Sequence, residues 1–198
     1  MKTTKTIIII GAAAVLAVIG FYPVHKNSRD IRKEVLSEKE VVKPIVKDLA
    51  YEKRDPRNTI PNNGTDWYTY MDLESITDKS SEQYRRKSNY WLDSSGIWCC
   101  NNDYVVAMGS GFGALGDRYM ITTDKGNSYS VVIGDHKADI DTDLNNCYSL
   151  TYVNGEPKFN IIEFIVDTDS LNDNVKESGN VGDYYFIKGN IIHIEKIP

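Results

Sequence analysis

Cysteine and histidine are scarce, at three each in 198 residues. Cys99, Cys100 and Cys147 form no Cys-x-x-Cys pair and no Cys/His spacing of the kind that holds zinc. Adjacent cysteines seldom bridge each other, because the ring that would form is strained. Two readings of the thiols stay open. Either Cys99 or Cys100 bridges to Cys147 in an exported domain, or all three are reduced and partly buried. Also absent is an Arg/Lys stripe with interleaved aromatics, so nucleic acid is not an expected partner. Gly109–Ser110–Gly111–Phe112–Gly113 has no Gly-Lys-Ser/Thr after it and runs into a strand pattern, which excludes a phosphate loop. Ser110 lies in no G-x-S-x-G elbow, and no Ser/His/Asp triad has local support.

What is present is unevenly charged. Hydrophobic residues at 41% and charged ones at 26% suit a folded chain rather than wholesale disorder. The net charge of -5 hides two halves: 12 basic and 7 acidic residues through residue 65, then 11 basic and 21 acidic. The acidic half repels nucleic acid, anionic polymers and anionic lipid, and attracts cations or basic partners.

Three segments follow from the pattern. Residues 1–24 read as a membrane anchor or signal segment, with Lys2 and Lys5 ahead of the uncharged run Ile7–Tyr22. As a helix that run reaches roughly 25 Å, a short span for a hydrocarbon core of about 30 Å. The lysine-bearing start favours N-in, C-out; Lys26, Arg29, Arg32 and Lys33 pull the other way. Residues 25–65 read as a charged helical stalk and linker. Val42, Ile45, Val46 and Leu49 form an apolar stripe there, Pro44 restarts the helix, and Asn63–Gly64 marks a turn. Residues 66–198 read as an acidic β domain.

Within that domain Trp67–Cys100 predicts one short strand and a short helix over residues 81–90, capped from Ser80. Core packing is expected for at least two of Trp67, Trp91 and Trp98. Strands are predicted at Tyr104–Met108, Arg118–Thr123, Ser128–Ile133, Ile161–Val166, Asp183–Ile187 and Ile191–Ile197. Turns are expected at Asp124–Asn127, Asn154–Gly155 and Lys188–Asn190. Six short strands without long helices between them imply a closed or nearly closed barrel.

The acids after Gly134 are the strongest chemical signal. In an extended segment Asp135, Asp139, Asp141 and Asp143 share a face. Such crowding persists if the segment is exposed, if a cation sits among the acids, or if one carboxyl keeps its proton and serves as a general acid. Asp139, Asp141, Asp143 and Asn145 mimic the first positions of a calcium loop. Leu144 and Leu150 stand where an EF-hand needs glycine and glutamate, which excludes that motif and leaves a looser calcium site open. His136 lies within the cluster as a proton carrier, and Glu163 and Asp167 on a later strand are candidates to join it. His193 reads as a packed or edge histidine.

The segments ITDKSS (76–81), YVVAMGS (104–110), GDHKADIDTD (134–143) and IEFIVD (162–167) resemble a family of double-psi β-barrel domains from exported or element-borne proteins of Gram-positive bacteria. More distantly, strand, glycine turn and clustered aspartates resemble the three-aspartate barrels of lytic transglycosylases. That resemblance implies a six-stranded double-psi-like barrel with Asp135, Asp139 and Asp143 as catalytic acids. Asp135 would protonate the glycosidic oxygen. It places His136, Lys137, Asp141, Glu163 and Asp167 in the binding set. His136–Lys137 stands where those enzymes carry an Asp-Thr-Gly-Gly turn. The implied protein is anchored in the cell membrane with its C-terminal domain outside, acting on or docking to peptidoglycan or an envelope protein. The alternative is a non-catalytic interaction or cation-binding module of an envelope, conjugation or phage-related assembly. No cofactor is implied beyond the open calcium reading.

Overall fold

Tyr104–Val105–Val106–Ala107–Met108 is apolar at every position, a pattern suited to a strand buried on both faces. The computed structural model, which describes residues 60–61 and 63–198, places it so. The membrane segment expected at residues 7–22 and nearly all of the stalk lie outside the described residues. Among the described residues no helix is long and apolar enough to cross a membrane.

The described residues form ten strands: β1 (Thr69–Asp72), β2 (Trp91–Leu92), β3 (Trp98–Cys100), β4 (Asp103–Gly109), β5 (Arg118–Thr123), β6 (Ser128–Lys137), β7 (Ser149–Val153), β8 (Glu156–Asn160), β9 (Ile162–Val166) and β10 (Ile191–Ile197). Two short helices accompany them, α1 (Glu82–Arg86) and α2 (Asp173–Ser178). The main sheet runs β1-β9-β4-β6-β5-β10, with β2 and β3 appended to the start of β4, while β7 and β8 form a separate hairpin. β4 pairs parallel with β6 and antiparallel with β9; β1 runs parallel to β9.

The fold is mainly β, as the pattern predicts, but the sheet is not closed into a barrel. Its end strands β1 and β10 are not laddered to each other. At one end of the seam Thr65 bridges instead: its Oγ1 accepts from Ile191 N–H at 2.8 Å, and its N–H donates to Asn190 Oδ1 at 3.0 Å. The open sheet leaves two faces to cover. Val106 and Met108 of β4 enter one core with Tyr68, Ile121, Ile133, Phe164 and Ile194. Val105 and Ala107 enter a second with Leu73, Ile76, Val132 and Ile165, roofed partly by Tyr84, Tyr90 and Trp98.

Five of the six predicted strands recur, three with shifted ends and Arg118–Thr123 and Ile191–Ile197 without any shift. Asp183–Ile187 is not a strand. Asn180 Oδ1 accepts from Gly182 N–H at 2.9 Å and starts a 3-10 turn, and Ile187 N–H returns to Tyr184 O at 3.0 Å. The backbone thus satisfies itself locally and has no need of a ladder. The short helix starts one residue later than its predicted cap, with Ser81 Oγ accepting from Tyr84 N–H. Trp98 packs against the second core, Trp67 is half-buried and Trp91 is half-exposed.

The three cysteines form no disulfide. Cys99 pairs with Tyr104 at the start of β4, while Cys147 lies against Gly109 and Gly111 at its far end. Five strand residues separate those ends by about 16 Å, beyond the roughly 7 Å Cα limit for a disulfide. Burial also pushes the Cys99 thiol up to about 12, so it stays protonated.

Gly109 is where the glycine loop meets the 145–147 turn. A Cβ there would stand 2.0 Å from the Asn146 carbonyl oxygen, a backbone atom that cannot swing away. Gly109→Ala is therefore expected to cost about 1–3 kcal/mol of unfolding free energy, read as a lower midpoint in urea. An unchanged midpoint would show that the loop and the turn do not pack as described.

Candidate functional site

The connection from β4 to β5 fixes the end of β6 that carries the site. β5 lies on the far edge of β6, so residues 110–117 pass across it. Gly116 N–H donates to Ile133 O at 2.8 Å, and Ile133 N–H donates to Asp117 O at 2.9 Å. A Cβ on Gly134 would meet Val105 Cγ1 at 2.3 Å, and the β4–β6 register shifts by one residue at this point. After the shift Ala107 stands opposite Asp135, and Gly109 opposite Lys137.

Residues opposite one another on paired strands share a face. Thr69 pairs with Glu163, Glu163 with Ala107, and Ala107 with Asp135. Glu163, Asp135 and Lys137 thus lie on one face of the sheet, around a floor made by Ala107 and Gly109. β9 and β6 flank β4, so their backbones stand roughly 10 Å apart. The Lys137 side chain is only 6% exposed, and its Nζ lies 3.9 Å from Glu163 Oε2. Burial pushes the ammonium below the usual lysine range, and the Glu163 carboxylate opposes that shift.

Each carboxylate has its own support. Thr69 Oγ1 donates to Glu163 Oε1 at 3.1 Å, and Asn160 Nδ2 donates in turn to Thr69 Oγ1. Gln83 Nε2, from α1, donates to Asp135 Oδ1 at 3.3 Å, and His136 N–H donates to the same oxygen at 2.8 Å. Asn160 is buried, and its Oδ1 has no hydrogen-bond partner.

The remaining sequence candidates lie elsewhere. The extended run stops at Lys137, and Asp139–Asp141 forms a 3-10 turn, so the four aspartates do not share a strand face. Asp139 is exposed and accepts from Ser110 Oγ at 2.6 Å; Asp141 is exposed. Asp143 Oδ1 accepts from Cys147 N–H at 2.6 Å and Tyr148 N–H at 3.2 Å, and its Oδ2 accepts from Asn145. That carboxylate holds the turn leading into β7. His136 occupies the opposite face, with Nε2 3.0 Å from Gly113 O. Asp167 ends β9 about 13 Å along the strand from Glu163, where it caps a 3-10 turn through Asp169 N–H and Ser170 Oγ. Among the described residues no group of three or more His, Cys, Asp and Glu side chains is placed to hold a metal ion.

The sequence reading missed Thr69, Asn160 and the Gln83 contact. Each depends on register between distant segments, and the residue types alone carry no signal of it. Ala107 was visible only as one more apolar residue in a strand.

Comparison with protein-family models, with curated proteins and with solved structures finds no match. The description therefore rests on the chain itself: a mainly β domain with a half-covered row of two carboxylates and a buried lysine.

Two substitutions separate structural acids from solvated ones. Asp143→Ala strands the Cys147 and Tyr148 amides and is expected to cost about 1–2 kcal/mol, whereas Asp141→Ala leaves stability within about 0.5 kcal/mol. Equal losses in chemical denaturation would contradict these roles. Lys137→Met is expected to leave stability at neutral pH unchanged or raised, since a buried ammonium gives way to an apolar chain of similar length. The sign against pH is fixed. A lysine whose folded value is lowered binds fewer protons when folded than when unfolded between those two values. Stability therefore climbs as pH rises through that window toward the ordinary lysine value near 10.4. Lys137→Met should flatten that alkaline climb in melting curves from pH 7 to 10.

Proposed function

We propose that this chain is a membrane-anchored envelope protein whose β domain docks on peptidoglycan or an envelope partner, through the face bearing Asp135, Lys137 and Glu163. The observation that carries the docking reading is the Lys137–Glu163 pair, held beside Asp135 with donors and acceptors alternating along one row. Neutral hydroxyl and amide groups of a partner can donate to the carboxylates, while the buried Lys137 balances their charge from beneath. The crossing of residues 110–117 over β6 supports a double-psi-like relationship, in an open form. The apolar run at residues 7–22 behind Lys2 and Lys5 supports the anchor, with the domain on the outer side.

Docking is favoured over glycan cleavage by the surroundings of the acids. A general acid has to offer a proton to the leaving oxygen. Asp135 Oδ1 instead meets two N–H donors, which suit a carboxylate that accepts. Asp143 is committed to backbone amides, and Asp139 turns toward Ser110. Among the described residues the acid across from Asp135 is Glu163, whose charge is engaged by Lys137 and Thr69.

The test is to incubate the full chain in detergent with purified peptidoglycan, pellet the sacculi and examine the supernatant by mass spectrometry. Co-sedimentation without released muropeptides is expected. Lys137→Met and Glu163→Gln should each reduce the pelleted fraction several-fold while the domain stays folded. Release of muropeptides that stops in Asp135→Asn would replace docking with catalysis. Absence of co-sedimentation would remove peptidoglycan as the partner.

A further inference from the structure

On one face of the β7–β8 hairpin Phe159 is half-buried against Tyr148 and Gly64, while Leu150, Tyr152 and Pro157 are exposed. Across its register Leu150 stands opposite Phe159, and Tyr152 opposite Pro157. These four share a side, because paired residues lie on the same face and neighbours alternate. The other side carries Ser149 with Asn160, Thr151 with Lys158, and Val153 with Glu156. Both charges of the hairpin, Lys158 and Glu156, lie on the second side, where Val153 is the one apolar residue. Lys158 is already engaged there, 2.7 Å from Asp66 Oδ1. Yet it is the apolar side that meets solvent: Leu150 is 52% and Tyr152 67% exposed. A two-stranded hairpin is marginally stable alone and ordinarily buries its apolar side. This one covers only Phe159 of its apolar side and leaves Leu150, Tyr152 and Pro157 in water.

We infer that this hairpin is a membrane-contacting arm that lays Leu150, Tyr152 and Pro157 into the interfacial region of the bilayer holding the chain. This rests on the anchored part of the function proposed above and not on the docking row. The route of the chain selects the bilayer as occupant. The described domain begins at Ile60–Pro61 and passes directly along β8, where Gly64 O accepts from Phe159 N–H at 2.8 Å. The tether therefore arrives at the root of the arm, and 37 residues separate it from the apolar run ending at Tyr22. Those 37 residues confine the domain to the neighbourhood of its own membrane, which raises the effective concentration of the arm there. A small apolar contact then suffices, although it would be negligible for a free protein. Tyrosine beside aliphatic residues matches the membrane–water interface, where its ring is buried and its hydroxyl stays wet. The charge of the domain specifies the lipid further. With 21 acidic against 11 basic residues from residue 66 onward, it avoids an anionic surface, so contact is expected on zwitterionic lipid.

The experiment uses the full chain reconstituted in phosphatidylcholine vesicles, in a Cys100→Ser background that leaves only the two buried cysteines. One sample carries Tyr152→Cys with an environment-sensitive fluorophore. The other carries Lys125→Cys, on the exposed turn between β5 and β6. Lipids with a quencher near the headgroup are then mixed in. The label at 152 is expected to shift to the blue and lose most of its emission, while the label at 125 stays bright. If both stay bright while the chain floats with the vesicles, the arm does not touch lipid and the inference is overturned. Equal quenching at both sites also overturns it, since the whole domain would then lie on the surface. Shielding at 152 that appears only with added envelope protein makes the occupant a protein. A chain that fails to float removes the anchor, and the inference falls with it.

Discussion

The fold depends on β4 being apolar on both faces. A strand with water on one side can alternate; β4 cannot, because it divides two cores and pairs along both edges. Burying it removes backbone and side chains from water together, so every amide must find a ladder partner. That requirement brings β6 to one edge and β9 to the other. The side chains at the matching register positions follow. Asp135 and Glu163 lie on the same face either side of Ala107 because β4 lies between their strands.

This explains which parts of the molecule could be read from residue types. Arg118–Thr123 and Ile191–Ile197 alternate with one side buried, and period-two patterning is a local property. Asp183–Ile187 has a similar composition, yet Tyr184, Phe186 and Ile187 pack inward from a turn stabilised by Asn180. Local side-chain capping there wins over strand propensity. β7 and β8 escaped assignment although their Asn154–Gly155 turn was evident, with both residues at positive φ. The proline and lysine of EPKFN weaken its strand signal, and the fully apolar side appears only once register is known.

The site was legible in its position more than its membership. The acid-rich run Gly134–Asp143 stood out by its number of acids, whereas the structure divides it: Gly134–Lys137 lies at a register shift in β6, and the rest turns away. Counting aspartates assumed that the chain stays extended to Asp143. It turns at Ala138, so the acids beyond are spent on Ser110 and on the backbone of residues 145–148. An acid used to close a turn and an acid free to meet a ligand look identical in sequence.

The two surfaces of interest are joined by one residue. Asn160 is the last residue of β8, so it belongs to the root of the hairpin arm. Its Nδ2 supports Thr69 Oγ1, which donates to Glu163, which faces Lys137. The chain of contacts is short and partly buried, and the 3.9 Å spacing at its far end is looser than a direct hydrogen bond. A buried ammonium with such a partner is sensitive to small displacements, because Coulomb energy in a low dielectric changes steeply with distance. Asn160 and Thr69 thus connect the root of the arm to the carboxylate that compensates Lys137. The unpartnered Asn160 Oδ1 sits at the junction, where it leaves the amide one stabilising contact short of a fixed orientation.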